Sequence, residues 1–284
     1  MSKIFDAIRQ NGFVLIRDAL PPPSTFIEVY KAFDGVAKLM ATDELASIIL
    51  EKTAIDWAKD LRRSGFLARA PMGFRDRSIR PDKAKKSYFQ YASGYGAFVR
   101  ANYPRLFSTY PEVDWLFANC EILSEAAVTI LRPVILEFER RYPGLRRLLI
   151  REQGFPPVVV RLIRYEPGSE IESMPHHDKS AFTIHMNSDD ATADQFVIGP
   201  WRRELELSDL KPIMSRANLR RTSDAVVFPG MFLGQMGYEE ILPSPHAALG
   251  SKDARLRHVA VGFWLIPFMF TDHLSTNIPL RGVA

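Results

Sequence analysis

Val158-Val159-Val160-Arg161-Leu162-Ile163-Arg164-Tyr165 is β-branched through its first half and is closed by Pro167-Gly168. That pattern predicts a strand ended by a turn. It opens a series of short strands in the second half of the chain, at residues 181–186, 196–198, 225–228 and 258–264. Glycine, proline and Asn/Asp turns separate them. Short, punctuated strands of this kind predict an antiparallel double-sheet barrel of the jelly-roll type.

The first half has a different texture. Phe26, Val29, Tyr30, Phe33 and Met40 recur at helical spacing after Thr25 and Glu28, which read as a capping box. Asp43 is placed to cap a second helix, with Leu45, Ile48, Ile49, Ile55 and Leu61 as its inner side. A third helical stretch runs through Trp115, Ile122, Ala126, Val134 and Phe138, and Pro133 is expected to kink or divide it. Residues 65–96 read as a loop-rich segment. Its Tyr88, Phe89, Tyr91 and Tyr95 are either packing aromatics or a lid over the barrel mouth. Gly94-Tyr95-Gly96 is not a dinucleotide fingerprint, because Val99 stands at the third glycine position and no strand precedes it. Near the start, Gly12-Phe13-Val14-Leu15-Ile16-Arg17 reads as a strand following a first helix. The expected class is α+β: helices before residue 150 packed on a barrel spanning about 155–270, with residues 1–284 forming a single domain.

Length and composition narrow the function. The chain of 284 residues has 46% apolar and 25% charged residues, the ordinary globular balance, which excludes a disordered protein. The longest apolar run, 259–270, is short and broken by Gly262 and Pro267, so it does not read as a membrane span. The N-terminus has scattered charges and no apolar core, unlike a secretory signal. Cys120 is the only cysteine, which excludes an intrachain disulfide and suits a reduced, cytoplasmic setting. The net charge of +4 is mild. Arginines bunch at 140, 141, 146, 147 and 151, and at 202, 203, 220 and 221. Solvated helix ends and loops account for them; without zinc-finger spacing, an RNP-like box or a basic heptad region, no nucleic-acid partner is expected.

The six histidines carry the chemistry. His176-His177-Asp178 contains an His-x-Asp pair, and residues two apart on extended backbone face the same side. His246, in Ser244-Pro245-His246, follows 70 residues after His176. An isolated His-x-Asp is weak evidence, since a solvated loop tolerates it. Its context strengthens it, because the pair lies between two predicted strands and His246 follows a third strand and a Pro-Gly turn. Two imidazoles and a carboxylate on one face of an octahedron leave three open positions, which suits non-haem Fe(II). His185, His258, His273 and the intervening His177 have no metal role in this reading. Arg257 opens the last strand. If it points into the barrel beside Val259 and Val261, it needs an anionic partner. If Leu256 and His258 point inward instead, it faces solvent. Arg255 shares its side and is its rival.

In these residues the chain resembles the Fe(II)- and 2-oxoglutarate-dependent oxygenases, and within them the isopenicillin N synthase-like branch. The similar stretches are Leu162-Ile163-Arg164-Tyr165, His176 through Ile184, Asp224-Ala225-Val226-Val227-Phe228-Pro229-Gly230, Ser244-Pro245-His246, and Arg255-Leu256-Arg257 leading into Gly262-Phe263-Trp264. Residues 7–17 resemble the branch's N-terminal helix and strand. The resemblance is strongest over 160–265 and thin over 40–150. It implies a double-stranded β-helix with Fe(II) held by His176, Asp178 and His246. It also implies an arginine that grips the far carboxylate of 2-oxoglutarate. Arg257, eleven residues past His246, is favoured over Arg255, nine past, because Phe263 then falls where the family has an aromatic. Where the family often has a serine two residues after that arginine, Val259 stands here; Tyr165 is the candidate replacement.

The implied activity is O₂-dependent hydroxylation of an unactivated C–H bond in a small polar metabolite, with desaturation or ring closure as variants. It is coupled to decarboxylation of 2-oxoglutarate to succinate. Asp178 argues against halogenation, because halogenating relatives carry a small residue there. Two rivals remain at this stage: an iron oxidase of the isopenicillin N synthase type that uses no 2-oxoglutarate, and a non-catalytic jelly-roll binding module. A zinc hydrolase ranks below both, since the chain has neither HExxH nor G-x-S-x-G.

Overall fold

A computed structural model describes residues 3–63, 72–76, 86–149, 158–167, 171–189, 196–201, 210–212, 223–250 and 256–265. The core is two antiparallel sheets facing each other with helices on one outer side, an α+β jelly-roll arrangement. The larger sheet has the order β1 (Val14–Ile16), β9 (Ala225–Pro229), β6 (Phe182–Ser188), β11 (Arg257–Trp264), β4 (Val158–Tyr165), β3 (Lys86–Ala92) and β2 (Gly73–Asp76). The smaller sheet has the order β5 (Ile171–His176), β10 (His246–Leu249), β7 (Phe196–Ile198) and β8 (Lys211–Pro212).

The strand at 158–165 and the final strand form the centre of the larger sheet, paired along their whole length from Arg257 opposite Tyr165 to Trp264 opposite Val158. Every residue of β11 is buried, because β4 and β6 flank it and both its faces are covered. Alternation then divides its side chains. Arg257, Val259, Val261 and Phe263 face the cavity between the sheets. The intervening residues face the helices: His258 stacks on Tyr30 and Trp264 donates to the Leu149 carbonyl.

Three strands of the larger sheet come from the first half of the chain. The segment expected as a loop over 65–96 supplies β2 and β3, paired from Gly73 opposite Gln90 to Asp76 opposite Ser87, and then helix α4 (Tyr95–Asn102). Its aromatics pack and do not form a lid: Phe89, Tyr91 and Tyr95 are buried around Phe117, and Tyr91 bonds Glu121. The short apolar run at Val14–Ile16 does form β1, after α1 (Lys3–Asn11). Gly12 between them has φ +84°, and a Cβ there would lie 1.9 Å from the Gly199 carbonyl oxygen, so only glycine serves.

The helices depart from expectation in detail. Helix α2 (Pro23–Thr42) starts one residue after Pro22, without a side-chain cap, and the Thr25–Glu28 box is not used. Proline at the first turn needs no amide partner, so the start is set by Pro23. Asp43 does cap α3 (Glu44–Arg63), accepting from the Ala46 amide at 2.9 Å. The inner face of α3 is Ala46, Leu50, Ala54, Trp57 and Leu61, whereas Leu45, Ile48 and Ile55 are exposed and Ile49 is partly buried. After α5 (Pro104–Thr109), helix α6 (Pro111–Glu139) runs unbroken past Pro133. Pro133 and Thr129, whose carbonyl loses its amide partner to the ring, are both exposed, so the missing hydrogen bond does not fall in the core. The buried stripe of α6 includes Leu116, Cys120, Leu123, Ala127, Leu131, Val134 and Phe138, leaving Trp115 and Ile122 outside. Short helices α7 (Leu145–Leu149) and α8 (Phe232–Gln235) complete the described chain.

Candidate metal centre and its cavity

His176 ends β5 and His246 begins β10, and the two stand directly opposite in the ladder, with ring centroids 4.3 Å apart. Each imidazole has its Nδ1 turned to a backbone carbonyl, His176 to Met174 at 2.8 Å and His246 to Ser244 at 3.2 Å. A carbonyl accepts only from a protonated nitrogen, so each neutral ring carries its proton on Nδ1 and its lone pair on Nε2. Both Nε2 atoms face Asp178: His176 Nε2 lies 3.6 Å from Oδ1 and His246 Nε2 3.3 Å from Oδ2. Ligand atoms of the three residues fall within 4.8 Å of one another. Burial opposes the charged carboxylate of Asp178, but attraction to the protonated forms of His246 and His176 outweighs it and holds the carboxyl well below its ordinary range. For His176, burial lowers the imidazole, and the Asp178 and Met174 contacts raise it to a net upward shift.

Asp178 lies beyond the strand, in a turn that is pinned from behind. Its carbonyl accepts from the Met231 amide at 2.9 Å, and the Gly230 amide donates to Ala181 at 3.0 Å. A Cβ on Gly230 would fall 2.3 Å from the Ser180 carbonyl oxygen and 2.7 Å from that of Asp178. Pro229-Gly230 is therefore the backing plate of the turn that holds Asp178. Thr183, on β6, donates to Asp178 Oδ2 at 2.8 Å.

The three groups border a cavity of about 570 Å³, including its open mouth, between the sheets. Arg257 lies within it, buried, with its guanidinium 5.4 Å from the Tyr165 ring and Nη2 donating to Ser188 Oγ at 3.2 Å. The inward orientation follows from the alternation of β11, which sends His258 to the other face. Arg255 lies outside the described residues.

Ser188 is a contact that alternation conceals. Val261 pairs with His185 but Ala260 pairs with Asn187, so Met186 is an extra residue, a β-bulge. The bulge switches parity. Thr183, His185 and Ser188 all reach the cavity side, although the sequence spacing places Ser188 with Met186.

His185 also borders the cavity, beside Phe196 at 4.3 Å. Burial, then the charge of Arg257, pushes its imidazole down to about 3, so the ring is neutral. Its Nε2 has no hydrogen-bond partner among the described residues. His258, on the opposite face, bridges Asp189 and Asp34 at 3.1 and 2.9 Å. His177 is not among the converging groups, and His273 lies outside the described residues. Cys120 is fully buried, and burial pushes its thiol up, which makes it inert.

Among solved structures, the chain is similar to a full-length Neurospora crassa protein in complex with alpha-KG and thymine. The identity is 12%, over 100% of this chain and 84% of that one, with a TM-score of 0.59. It is similar to the dioxygenase for auxin oxidation 1 of Arabidopsis thaliana, in binary complex with 2-oxoglutarate, at 13% identity, with 95% and 92% covered and a TM-score of 0.53. It is also similar to a 2OG-Fe(II) oxygenase family protein of Caulobacter crescentus, at 12% identity, with 93% and 81% covered and a TM-score of 0.58. The chain has the fold of the 2OG-Fe(II) oxygenases. No family model matches it, and no curated protein matches its sequence. Among the described residues no helix is long and apolar enough to cross a membrane.

Proposed function

We propose that the protein is a non-haem Fe(II)- and 2-oxoglutarate-dependent dioxygenase acting on a C–H bond of a small molecule. Hydroxylation is the default reaction, with desaturation or ring closure as variants. The observation that carries this reading is the convergence of His176, Asp178 and His246 at one side of a cavity whose far end holds a buried arginine. The donor set suits the metal: two imidazole nitrogens whose tautomer is fixed by backbone carbonyls, and one carboxylate braced by Thr183. Bound Fe(II) would supply O₂ activation coupled to oxidative decarboxylation of 2-oxoglutarate.

The chain's own residues do the rest. Arg257 receives the far carboxylate of the co-substrate, and Tyr165 and Ser188 fix the direction of its guanidinium. A buried arginine facing a cavity is stabilised by such an anion and costly without one. His185 stays neutral and offers Nε2 as a polar contact inside an otherwise aromatic wall of Phe196, Phe228 and Phe263. That wall excludes water from the reacting atoms. Helix α1 and strand β1 support placing the chain in the isopenicillin N synthase-like branch, and the lone buried Cys120 goes with a reduced, cytoplasmic setting.

Anaerobic titration of the metal-free protein with Fe(II) and then 2-oxoglutarate tests the reading. A visible metal-to-ligand charge-transfer band is expected, lost in His246→Ala. Iron binding without that band would replace this reading by the 2-oxoglutarate-independent oxidase. No iron binding at all would leave a binding module.

A further inference from the structure

Among the described residues that line the cavity, only His185 has a buried side-chain nitrogen or oxygen without a hydrogen-bond partner, its Nε2. The residue is 2% exposed, so bulk water does not supply the missing bond. A dry, unpartnered polar atom is costly, and native interiors keep few of them. An aliphatic or phenyl side chain would also pack on Phe196, and it would leave no such atom.

The place of His185 in the wall names its partner. On β6, Thr183 holds Asp178 and Ser188 holds the Arg257 guanidinium. His185 stands between them, about 7 Å from Thr183 along the strand. Across the cavity its ring meets Phe196 of β7 at 4.3 Å, and the Phe196 ring lies 5.8 Å from that of His246. Of the two converging imidazoles, the His176 side chain is 41% exposed and that of His246 is 7% exposed. The mouth is therefore on the His176 side, and His185 lines the closed side with His246. A molecule entering through the mouth meets His176 first, whereas one that already spans the converging trio and Arg257 lies over His185. Burial and the nearby charge of Arg257 keep the imidazole neutral, so it offers one N–H and one lone pair. An anionic oxygen takes the N–H.

We propose that His185 is a further contact for the co-substrate, with its Nε2–H donating to a carboxylate oxygen at the 2-oxo end of 2-oxoglutarate, between the converging trio and Arg257. This rests on the oxygenase reading above and deepens it. An arginine at the far carboxylate leaves the chain between the two acid groups free to rotate. A donor part-way along the wall fixes the orientation of the near end. A neutral donor meets that acid without adding a positive charge beside Arg257.

The test is anaerobic absorbance titration of the iron-loaded wild type, His185→Leu and His185→Gln with 2-oxoglutarate, with melting curves alongside. His185→Leu keeps an apolar body against Phe196 and removes the donor; His185→Phe does the same with an aromatic ring should the leucine variant not fold. Fe(II) affinity should be unchanged, and 2-oxoglutarate affinity should fall about tenfold, the worth of one hydrogen bond to a charged group. The charge-transfer band should move to shorter wavelength, because the N–H no longer lowers the acceptor orbital of the 2-oxo acid. His185→Gln, which keeps an N–H, should recover part of both changes. A side chain that only packs would leave the band of the folded fraction unmoved, whatever it does to the melting curve. Wild-type affinity or an unmoved band in the donor-free variant overturns the proposal. So does loss of Fe(II) binding, which would place His185 with the metal-holding groups. If the wild type itself shows no band, the oxygenase reading fails separately. Calorimetry with glutarate, which keeps both carboxylates, then decides the acid contact: binding weakened about tenfold in the donor-free variant upholds it, and no binding or equal binding overturns it.

Discussion

Thr183 Oγ1 donates to Asp178 Oδ2 at 2.8 Å, the same carboxylate oxygen that lies 3.3 Å from His246 Nε2. Ser180 Oγ, 2.9 Å from Thr183 Oγ1, completes a buried chain of hydroxyls behind the acid. With its proton given to Asp178, the Thr183 hydroxyl accepts from Ser180. The carboxylate is thereby oriented before any metal arrives. Thr183→Val keeps the shape and removes the donor, and Fe(II) affinity should fall about 10–100-fold. Titration of the metal-free variant checks this, and an unchanged affinity would mean that the hydroxyl chain only packs.

Gly230→Ala should act on the same ligand from the backbone side. The added Cβ would meet the Ser180 and Asp178 carbonyl oxygens at 2.3 and 2.7 Å, and these atoms are not the ends of flexible side chains. The turn has to shift, at a cost of about 1–3 kcal/mol by analogy with overpacking. Asp178 should shift with it. A lower urea midpoint together with weaker Fe(II) binding is expected; a variant with wild-type values for both would show that the turn yields freely.

The second-half strands and the converging trio of His176, Asp178 and His246 were legible because their signals are local. Residues 158–165 and 258–264 carry the β-branched run and the turns that end it, and His176, Asp178 and His246 are rare residue types at the right points of that pattern. The helix faces were less legible. Leu45, Ile48 and Ile55 are as apolar as Leu50 and Leu61, and the positions of α2, β2 and α4 decide which side of α3 is covered. Strand β2 pairs with β3, and β3 docks on β4, a partner that a local reading of 65–96 does not contain. Ser188 was concealed by the bulge at Met186, which reverses alternation with no glycine or proline to announce it. The pairing of His258 is likewise long-range, since Asp34 lies 224 residues away.

That pairing has a pH signature. Burial alone would lower the His258 imidazole, but hydrogen bonds to Asp189 and Asp34 and their charges raise it from 6.5 to about 9. Arg164, near Asp34 at 3.6 Å, and the rings of Tyr30 and Phe33 are its other neighbours. A group with a raised folded pKa favours the folded state fully below its unfolded pKa. That contribution is lost as pH rises through the folded value. The docking of α2 onto β11 should therefore weaken between about pH 6.5 and 9. Urea midpoints across that range should fall for the wild type and be flatter for His258→Gln. Parallel pH profiles for the two proteins would remove His258 as the cause.

If the protein is the proposed oxygenase, Arg257 and Ser188 should separate iron binding from co-substrate binding. Neither is among the three converging groups; Arg257 borders the same cavity and donates to Ser188 Oγ at 3.2 Å. Arg257→Met retains the aliphatic stem against Tyr165 and removes the charge. Fe(II) affinity should be unchanged, whereas 2-oxoglutarate affinity should fall about 100-fold or more, in line with loss of a two-pronged charged pair in a buried site. Ser188→Ala leaves the charge but frees its direction, so the loss should be nearer tenfold, about the worth of one hydrogen bond to a charged group. The graded order is the informative result, because an arginine serving only to fill the barrel would lower stability in both variants and leave the 2-oxoglutarate titration of the folded fraction where it was. Absorbance titration of each iron-loaded variant, with melting curves alongside, distinguishes the two.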